Sequence, residues 1–196
     1  MRTYRFRGDN EYEDDDGNVV GGDLDSVVKN QIYFANVTQL NDPFESAALS
    51  MSSDAMEKFG VACFCRSVTN PLLWSHYANS HRGFAIGYDR DHEYFEKVQT
   101  VLYEDFPPDD PGMKMLEVVS IKPTCWAYEQ EDRLVRETLY DQLKEVPPDA
   151  VKEIVFGLQM KEDRAKEIQQ ALDGRELKFG QMEADKGRYG VNLRWL

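Results

Sequence analysis

The sequence has 196 residues, of which 41% are apolar, and its 36 acidic and 23 basic side chains give a formal charge of −13 at pH 7. That length supports one domain with a buried core, and the negative charge repels phosphate backbones, so direct binding of nucleic acid is not expected. No apolar run approaches the roughly 20 residues of a membrane-spanning helix, and three cysteines do not form the dense pattern of a secreted, disulfide-linked domain. We therefore expect a cytoplasmic protein with no membrane partner and no disulfide.

The first third of the chain alternates strand patterns with polar turns. TYRFR predicts a short strand, and an acidic, turn-rich loop follows over about residues 8–22. QIYFANV is rich in aromatic and β-branched residues and predicts a second strand, while Asn41, Asp42 and Pro43 are typical of a turn or helix cap. GVACFC predicts a third strand.

The middle of the chain contains a clear helix start. Asn70 followed by Pro71 is a cap and a first-turn proline, which predicts a short helix reaching about Asn79. Gly83 allows a tight turn into the next strand, FAIGYD. QTVLYED and LEVVSIK predict two further strands on either side of a proline-rich loop.

The last third predicts mainly helix. Apolar residues from Val151 to Leu172 fit helical spacing with an interruption near Gly157, and GRYGVNLRWL predicts a final strand. Strands and helices do not alternate regularly, which favours an α+β fold: one domain over residues 1–196, with helices packed on a mainly antiparallel central sheet. We expect GVACFC and FAIGYD to be neighbours in that sheet because one short helix separates them.

The segment WAYEQEDR allows two structures. If it is extended, Glu129, Glu131 and Arg133 share one face, where crowded carboxylates raise at least one pKa and can act on a sugar hydroxyl or stabilise a developing cation. If it begins a helix, Glu129 and Arg133 form an ordinary ion pair four residues apart. On this segment alone the ion pair is the favoured interpretation.

Two other groups carry reactive side chains. Cys63 and Cys65 precede His76 and His81, but the spacing does not match a zinc knuckle, and we expect no metal. Ser75 and His76 are adjacent on the predicted helix and so do not face each other, which argues against a serine-hydrolase triad. A structural, hydrogen-bonded histidine is favoured over a catalytic one.

Three blocks, NDPFE, WSHYANSHRG and WAYEQEDR, occur in this order. With TYRFR, QIYFANV and IKPTC between and around them, the whole chain resembles the bacterial domain-of-unknown-function family 2971. Cys65 stands where serine is expected in that family, and the acidic insertion after Gly8 departs from it; neither lies in the three blocks. The resemblance implies that the polar residues of the blocks form one convergent site: Asn41, Asp42, Glu45, His76, Tyr77, His81, Glu129, Glu131 and Arg133.

The chain also resembles, more distantly, the ADP-ribosyltransferases. Their order of an arginine on the first strand, a strand like GIYFA, a Tyr or Ser beside the nicotinamide and a late glutamate is similar to Arg7, QIYFA, Tyr77 or His76, and Glu129 or Glu131. The likeness implies NAD as a substrate, since a carboxylate stabilises the oxocarbenium-like ribose and aromatic rings stack on nicotinamide. It implies catalytic roles for three residues and substrate-binding roles for seven. The catalytic residues are Glu131, Glu129 and His76, and the substrate-binding residues are Arg7, Tyr33, Asn41, Asp42, Tyr77, His81 and Arg133.

A second class of function fits the same composition. A small acidic protein of phage or mobile-element origin can act without turnover, as a binding or inhibitor protein that docks a basic protein surface through its negative field. The expected partner is therefore either a small nucleotide or a basic protein surface. Carboxylates in a concave, aromatic-lined pocket favour the enzyme, and carboxylates on a convex face favour the binding protein.

Overall fold

Most of the structure consists of antiparallel strand pairs with short helices between them. The structure is a computed structural model, and it describes residues 1–13, 15–44, 59–106, 115–137 and 142–196. The α+β prediction is confirmed. Contacts divide the chain into two compact units: unit 1 contains Met1–Gln31, Ser67–Tyr94 and Glu145–Leu196, and unit 2 contains Ile32–Arg66 and Phe95–Lys144. The assignment of residues 1–196 to one domain stays a prediction.

The described helices are short, and none has the length and apolar character that crossing a bilayer would take. The α-helices are Asp23–Val28 (α1), Pro71–Tyr77 (α2), Met115–Val118 (α3) and Glu162–Ala171 (α4), with 3₁₀ helices at Val37–Gln39, Glu93–Phe95, Thr124–Glu129 and Pro148–Ala150. The strands are Arg2–Arg7 (β1), Glu11–Glu13 (β2), Val19–Gly22 (β3), Gln31–Asn36 (β4), Phe59–Cys65 (β5), Phe84–Asp89 (β6), Gln99–Thr100 (β7), Leu102–Glu104 (β8), Ile121–Pro123 (β9), Glu131–Glu137 (β10), Gln142–Glu145 (β11), Val151–Phe156 (β12), Lys178–Ala184 (β13) and Val191–Trp195 (β14).

Unit 1 is built on the strand order β1-β6-β12-β13-β14. All neighbours in this order are antiparallel except β12 and β13, which are parallel and joined through α4. Strand β6 is paired along both edges and is buried over nearly its whole length, which explains its continuous apolar sequence. The prediction that β5 pairs with β6 was wrong, because β1 and β12 occupy both edges of β6.

Helix α2 begins as the sequence predicts. The Asn70 side chain accepts a hydrogen bond from the Leu72 amide at 2.9 Å, and Pro71 occupies the first turn. Trp74 is fully buried, packs edge-on against Phe6 with ring centroids 4.9 Å apart, and donates its Nε1 hydrogen to the Val68 carbonyl at 2.6 Å. This tryptophan fixes the helix on the β1 side of the unit.

Gly83 connects this helix to β6. A Cβ at this position would lie 1.9 Å from the carbonyl oxygen of Arg7, so only glycine allows the two backbones to approach this closely. The sequence assigned Gly83 to the turn before β6, and the close approach gives the physical reason.

Unit 2 is organised around β5 and β10. These strands form an antiparallel pair over their full lengths, from Glu131 opposite Cys65 to Glu137 opposite Phe59. Strand β7 pairs with β10, β4 pairs with β5 and with β11, and β8 pairs in parallel with β9. One apolar cluster in the core of this unit contains four buried valines, at positions Val37, Val61, Val119 and Val135.

Three sequence predictions differ from the structure. Residues Val151–Phe156 form a strand rather than the start of a helix, because this segment pairs with β6 and β13. LEVVSIK is divided between α3 and β9 instead of forming one strand. The acidic segment after Gly8 contains the two-stranded hairpin β2–β3, so it is more ordered than a loop.

Candidate functional site

Lys122 of β9 is the centre of a buried group of charges in unit 2. The side chain is 1% exposed, and its Nζ donates to Glu129 Oε2 at 2.7 Å and to Glu131 Oε2 at 3.4 Å. The same ammonium lies 3.3 Å from Asn41 Oδ1 and 4.5 Å from the centroid of the Trp126 ring. Lys122 therefore joins two carboxylates, an amide and an aromatic face.

Arg133 of β10 completes the group. Its guanidinium is fully buried and forms a bidentate ion pair with Glu131, in which Nε donates to Oε1 at 2.8 Å and Nη2 donates to Oε2 at 2.9 Å. Its Nη1 donates to the Val119 carbonyl at 2.6 Å. Lys122, Glu129, Glu131 and Arg133 are called the charge cluster below.

The backbone between the two glutamates explains how both reach Lys122. Thr124–Glu129 forms a 3₁₀ helix that ends at Gln130, whose φ of 47° is left-handed, and β10 starts at the next residue. The Gln130 carbonyl accepts from the Arg66 amide at 3.1 Å, which ties this turn to the end of β5. Neither sequence interpretation of WAYEQEDR was right: the segment is half helical and half extended, and Arg133 pairs with Glu131 rather than with Glu129.

Burial and charge shift the proton affinities around the cluster. Burial alone raises the pKa of Glu131, but the Arg133 charge and hydrogen bonds, aided by Lys122, outweigh it and hold that pKa below its ordinary value. Burial, reinforced by the two glutamates, raises the pKa of the Cys65 thiol well above its ordinary value. Glu131 is therefore an anion and Cys65 a neutral thiol at neutral pH.

Half-buried aromatic rings surround the cluster. The Tyr103 hydroxyl accepts from the Glu131 amide at 2.8 Å, and burial is the main cause that raises its pKa to about 12. Trp126 and Tyr128 lie on the 3₁₀ helix with ring centroids 6.1 Å apart. Burial, and next the negative charge of Glu129, raise the pKa of Tyr128. The rings give the cluster an aromatic rim of intermediate exposure.

Asn41 and Asp42 lie next to the cluster in the chain segment that follows the 3₁₀ helix Val37–Gln39. Asn41 is exposed and reaches Lys122, as given above, whereas Asp42 is 2% exposed and accepts the Phe44 amide through Oδ1 at 3.0 Å. Glu45, the last polar residue of this block, lies outside the described residues. Asn41, Glu129 and Glu131 therefore share a contact to Lys122, and Arg133 joins them through Glu131; that these residues form a functional site stays a prediction.

Two predicted substrate-binding residues make local contacts. Tyr33 on β4 is half-buried and donates its hydroxyl to Gln39 Oε1 at 3.1 Å. Arg7 on β1 has its Nε 3.7 Å from Asp23 Oδ1, and Asp23 also accepts from the Tyr12 hydroxyl. The substrate-binding role of Arg7 stays a prediction.

The histidines of unit 1 are arranged differently from the sequence expectation. His76 is exposed and contacts the Tyr77 ring, with centroids 6.1 Å apart. His81 stacks on Trp74 at 6.4 Å and places its Nε2 3.2 Å from Ser75 Oγ. A serine–histidine contact therefore exists, although it joins residues six apart rather than adjacent ones.

A left-handed turn creates that contact. Asn79, Ser80 and His81 have φ values of 46°, 53° and 68°, which folds the chain back so that the His81 amide donates to the Trp74 carbonyl. The Ser75 hydroxyl also lies 3.0 Å from the Pro71 carbonyl, which accepts its proton. Because the proton is directed to a backbone carbonyl, this pair is structural and not a poised nucleophile and base.

The predicted site residues divide between the two units. Unit 2 gathers Glu129, Glu131, Arg133 and Asn41 around Lys122, while Arg7, His76, Tyr77 and His81 belong to unit 1. The pocket that joins residues of both units stays a prediction. Lys122 was missed by sequence reasoning, and the available signal was a lone lysine after the apolar residues of LEVVSI, shortly before WAYEQEDR.

Among the described residues, no group of three or more His, Cys, Asp or Glu side chains is arranged to hold a metal ion. In comparisons with known proteins, no family model, no curated protein and no solved structure matches the chain. The resemblance to the domain-of-unknown-function family 2971 and the likeness to ADP-ribosyltransferases therefore stay expectations from the sequence.

Proposed function

We propose that the protein binds NAD at the charge cluster of unit 2 and cleaves it as ADP-ribosyltransferases do. The observation that carries the proposal is a pair of glutamates held on one buried ammonium, at 2.7 and 3.4 Å, beneath a rim of aromatic side chains. Carboxylates that are fixed in place can stabilise charge that develops on a sugar, and rings at the surface can stack on a nicotinamide. The protein acts in the cytoplasm, with a small nucleotide as its partner.

The chemistry assigns different tasks to the two glutamates. When the bond between the ribose C1′ and the nicotinamide nitrogen breaks, the electron pair leaves with nicotinamide and the positive charge stays on the ribose. Glu129, at the end of the 3₁₀ helix, stabilises that charge, and water or an acceptor group then forms the new bond to C1′ and gives up a proton. Glu131 is fixed by Arg133 and orients the ribose hydroxyls.

The surrounding residues serve binding. Trp126 and Tyr128 stack on the nicotinamide ring, and Asn41 marks the side from which the ribose enters. Tyr33, which also belongs to unit 2, binds substrate in the same proposal.

Calorimetric titration with NAD and an assay for released nicotinamide test the proposal. The wild type is expected to bind and cleave NAD, and the Glu129→Gln/Glu131→Gln double variant is expected to lose cleavage by about 100-fold or more, as when a key electrostatic group is removed from an active site. The matched control is Glu153→Gln, which neutralises a buried carboxylate of unit 1 that accepts from Arg2 and Tyr4. Equal activity of the double variant and the control, or no NAD binding by a folded wild type, contradicts the proposal.

A second function has its own observation. In the hairpin β2–β3 and its turn, Glu11, Glu13, Asp15 and Asp16 are exposed, and Tyr12 anchors the hairpin by donating its hydroxyl to Asp23. We propose, as the alternative, that this acidic hairpin docks a basic protein surface without turnover.

Its test is calorimetric binding of polylysine at two salt concentrations. Replacing the four carboxylates by amides is expected to abolish binding and its salt dependence. Four matched amide substitutions on other exposed acidic residues, at Glu104, Asp105, Glu162 and Asp163, serve as the control. If both quadruple variants lose binding equally, the hairpin has no special role.

A further inference from the structure

Asp42 is a buried residue of which only one carboxylate oxygen has a hydrogen-bond partner among the described residues. The residue is 2% exposed, its Oδ1 accepts the Phe44 amide, and its Oδ2 is buried without a hydrogen-bond partner among the described residues. A buried carboxylate oxygen without a donor is costly, because the charge has lost water and gained nothing in exchange. Such a group is expected where a ligand supplies the missing partner.

The carboxylates of this part of unit 2 differ in their partners. Asn41, the chain neighbour of Asp42, reaches Lys122 at 3.3 Å, so Asp42 follows directly after a residue that contacts the charge cluster. Glu129 and Glu131 are paired with Lys122 and Arg133. Asp42 differs from them because its Oδ2 has no donor among the described residues.

Another buried aspartate of the same unit shows the contrast. Asp132 is fully buried, but its Oδ1 accepts from the Thr100 hydroxyl at 2.8 Å and lies 4.0 Å from Arg66 Nε. It therefore has a donor and a nearby cation of its own. Burial of a carboxylate in unit 2 does not by itself leave an oxygen without a partner.

We propose that Asp42 binds the positively charged end of the ligand, which for NAD is the oxidised nicotinamide ring and its ribose. This assignment rests on the proposed function. Asp42 offers the ligand a carboxylate oxygen that no described donor occupies, whereas Glu129 and Glu131 each already contact Lys122. Its role is to select a cationic ligand, while the glutamates act on the ribose.

The position of Asp42 in the chain makes it reachable. Asn41, Pro43 and Phe44 are all exposed, and Phe44 is 68% exposed. The buried carboxylate therefore lies in a segment whose neighbouring residues are at the surface.

The test compares oxidised and reduced cofactor, which have the same shape at the phosphates and adenosine but differ by one positive charge on the nicotinamide ring. Calorimetry is expected to show NAD⁺ binding to the wild type at least about tenfold tighter than NADH, the effect of one partly buried charge pair. Asp42→Asn, which keeps the shape of the side chain, is expected to reduce the preference to within about twofold. Asp132→Asn is the matched control and is expected to keep the tenfold preference.

Each outcome decides between the two proposals. A preference that persists in Asp42→Asn, or equal binding of NAD⁺ and NADH by the wild type, overturns the role of Asp42 and leaves NAD binding intact. Binding of neither compound overturns the proposed function and this inference together. A urea titration of each variant shows that it is folded under the binding conditions, and Asp42→Glu, which retains the charge, is expected to retain the preference.

Discussion

Two buried carboxylates, Glu153 in unit 1 and Glu131 in unit 2, are held in contrasting ways. Glu153 accepts from Arg2 at 2.8 Å and from the Tyr4 hydroxyl at 3.0 Å, and the Arg2 side chain is 33% exposed. Glu131 accepts from Arg133 and Lys122, whose side chains are 0% and 1% exposed. The cation that pairs with Glu153 is partly exposed to solvent, whereas the cations that pair with Glu131 are buried.

The difference indicates what each arrangement is for. A partly solvated pair joins two strands at little cost, whereas a fully buried network must recover the desolvation of every charge and is seldom the most stable way to fill a core. Unit 2 nevertheless buries the four side chains of the charge cluster, Lys122 included, and a further carboxyl group at Asp42. We infer that the geometry of these groups, rather than stability, is the reason for their burial.

The largest expected effect comes from removing one cation from each arrangement. Arg133→Met leaves Glu131 without its two-pronged partner, and we expect it to lower the free energy of unfolding by about 3–5 kcal/mol. Arg2→Met removes a partly exposed cation and is expected to cost about 1 kcal/mol or less. Urea denaturation measures both, and equal losses would show that the two carboxylates are held alike.

A smaller loss of stability is expected when the tryptophan that contacts each of two lysines is replaced. Lys122 lies 4.5 Å from the Trp126 centroid inside unit 2, whereas Lys178 lies 5.9 Å from the exposed Trp195 in unit 1. We expect Trp126→Leu to destabilise by roughly 1–2 kcal/mol and Trp195→Leu by less than about 0.5 kcal/mol. Thermal denaturation distinguishes them, and a larger loss at Trp195 would reverse the comparison.

The pH dependence of stability tests the state of Glu131. Because its folded pKa lies below the value of about 4.3 in an unfolded chain, the unfolded state binds more protons between the two pKa values. Its contribution to stability is present above about pH 4.3 and is lost as the pH falls through the folded pKa. In urea titrations at a series of pH values, Glu131→Gln should reduce the fall in the free energy of unfolding below about pH 4.3. An unchanged fall in the variant would show that Glu131 is not the anion described.

The smallest effect is expected at His81 in unit 1. Burial lowers its pKa below the ordinary value of about 6.5, so the unfolded chain binds the proton more readily. Stability is therefore full above about pH 6.5 and declines as the pH falls towards the folded pKa. An NMR titration of the His81 ring should give a midpoint below 6.5; a midpoint at or above that value would refute the assignment.

Local signals in the sequence predicted the elements that depend on local chemistry. Asn70 and Pro71 predicted the start of α2, aromatic and β-branched residues predicted β4, and hydrophobic alternation predicted β5. Val151–Phe156 was misassigned because its apolar spacing fits both a helix and a strand, and pairing with β6 and β13 decided between them.

The candidate site was predicted only in part, because some of its contacts join segments that are distant in the sequence. Glu129, Glu131 and Arg133 come from one short segment, so the sequence could group them. Lys122, which contacts the two glutamates, lies on β9, and nothing local links a lone lysine to them. The contact of Ser75 with His81 depends on three consecutive left-handed residues, none of them glycine, a conformation that sequence patterns do not predict.

The arrangement of β6 has a consequence for how the chain folds. Its partners β1 and β12 are separated by more than 140 residues in the sequence, so one edge of this apolar strand stays open until β12 has been synthesised. Pairings between distant segments form slowly because the loop between them must close first. During synthesis the open edge of β6 is therefore a site at which wrong strand pairing can occur.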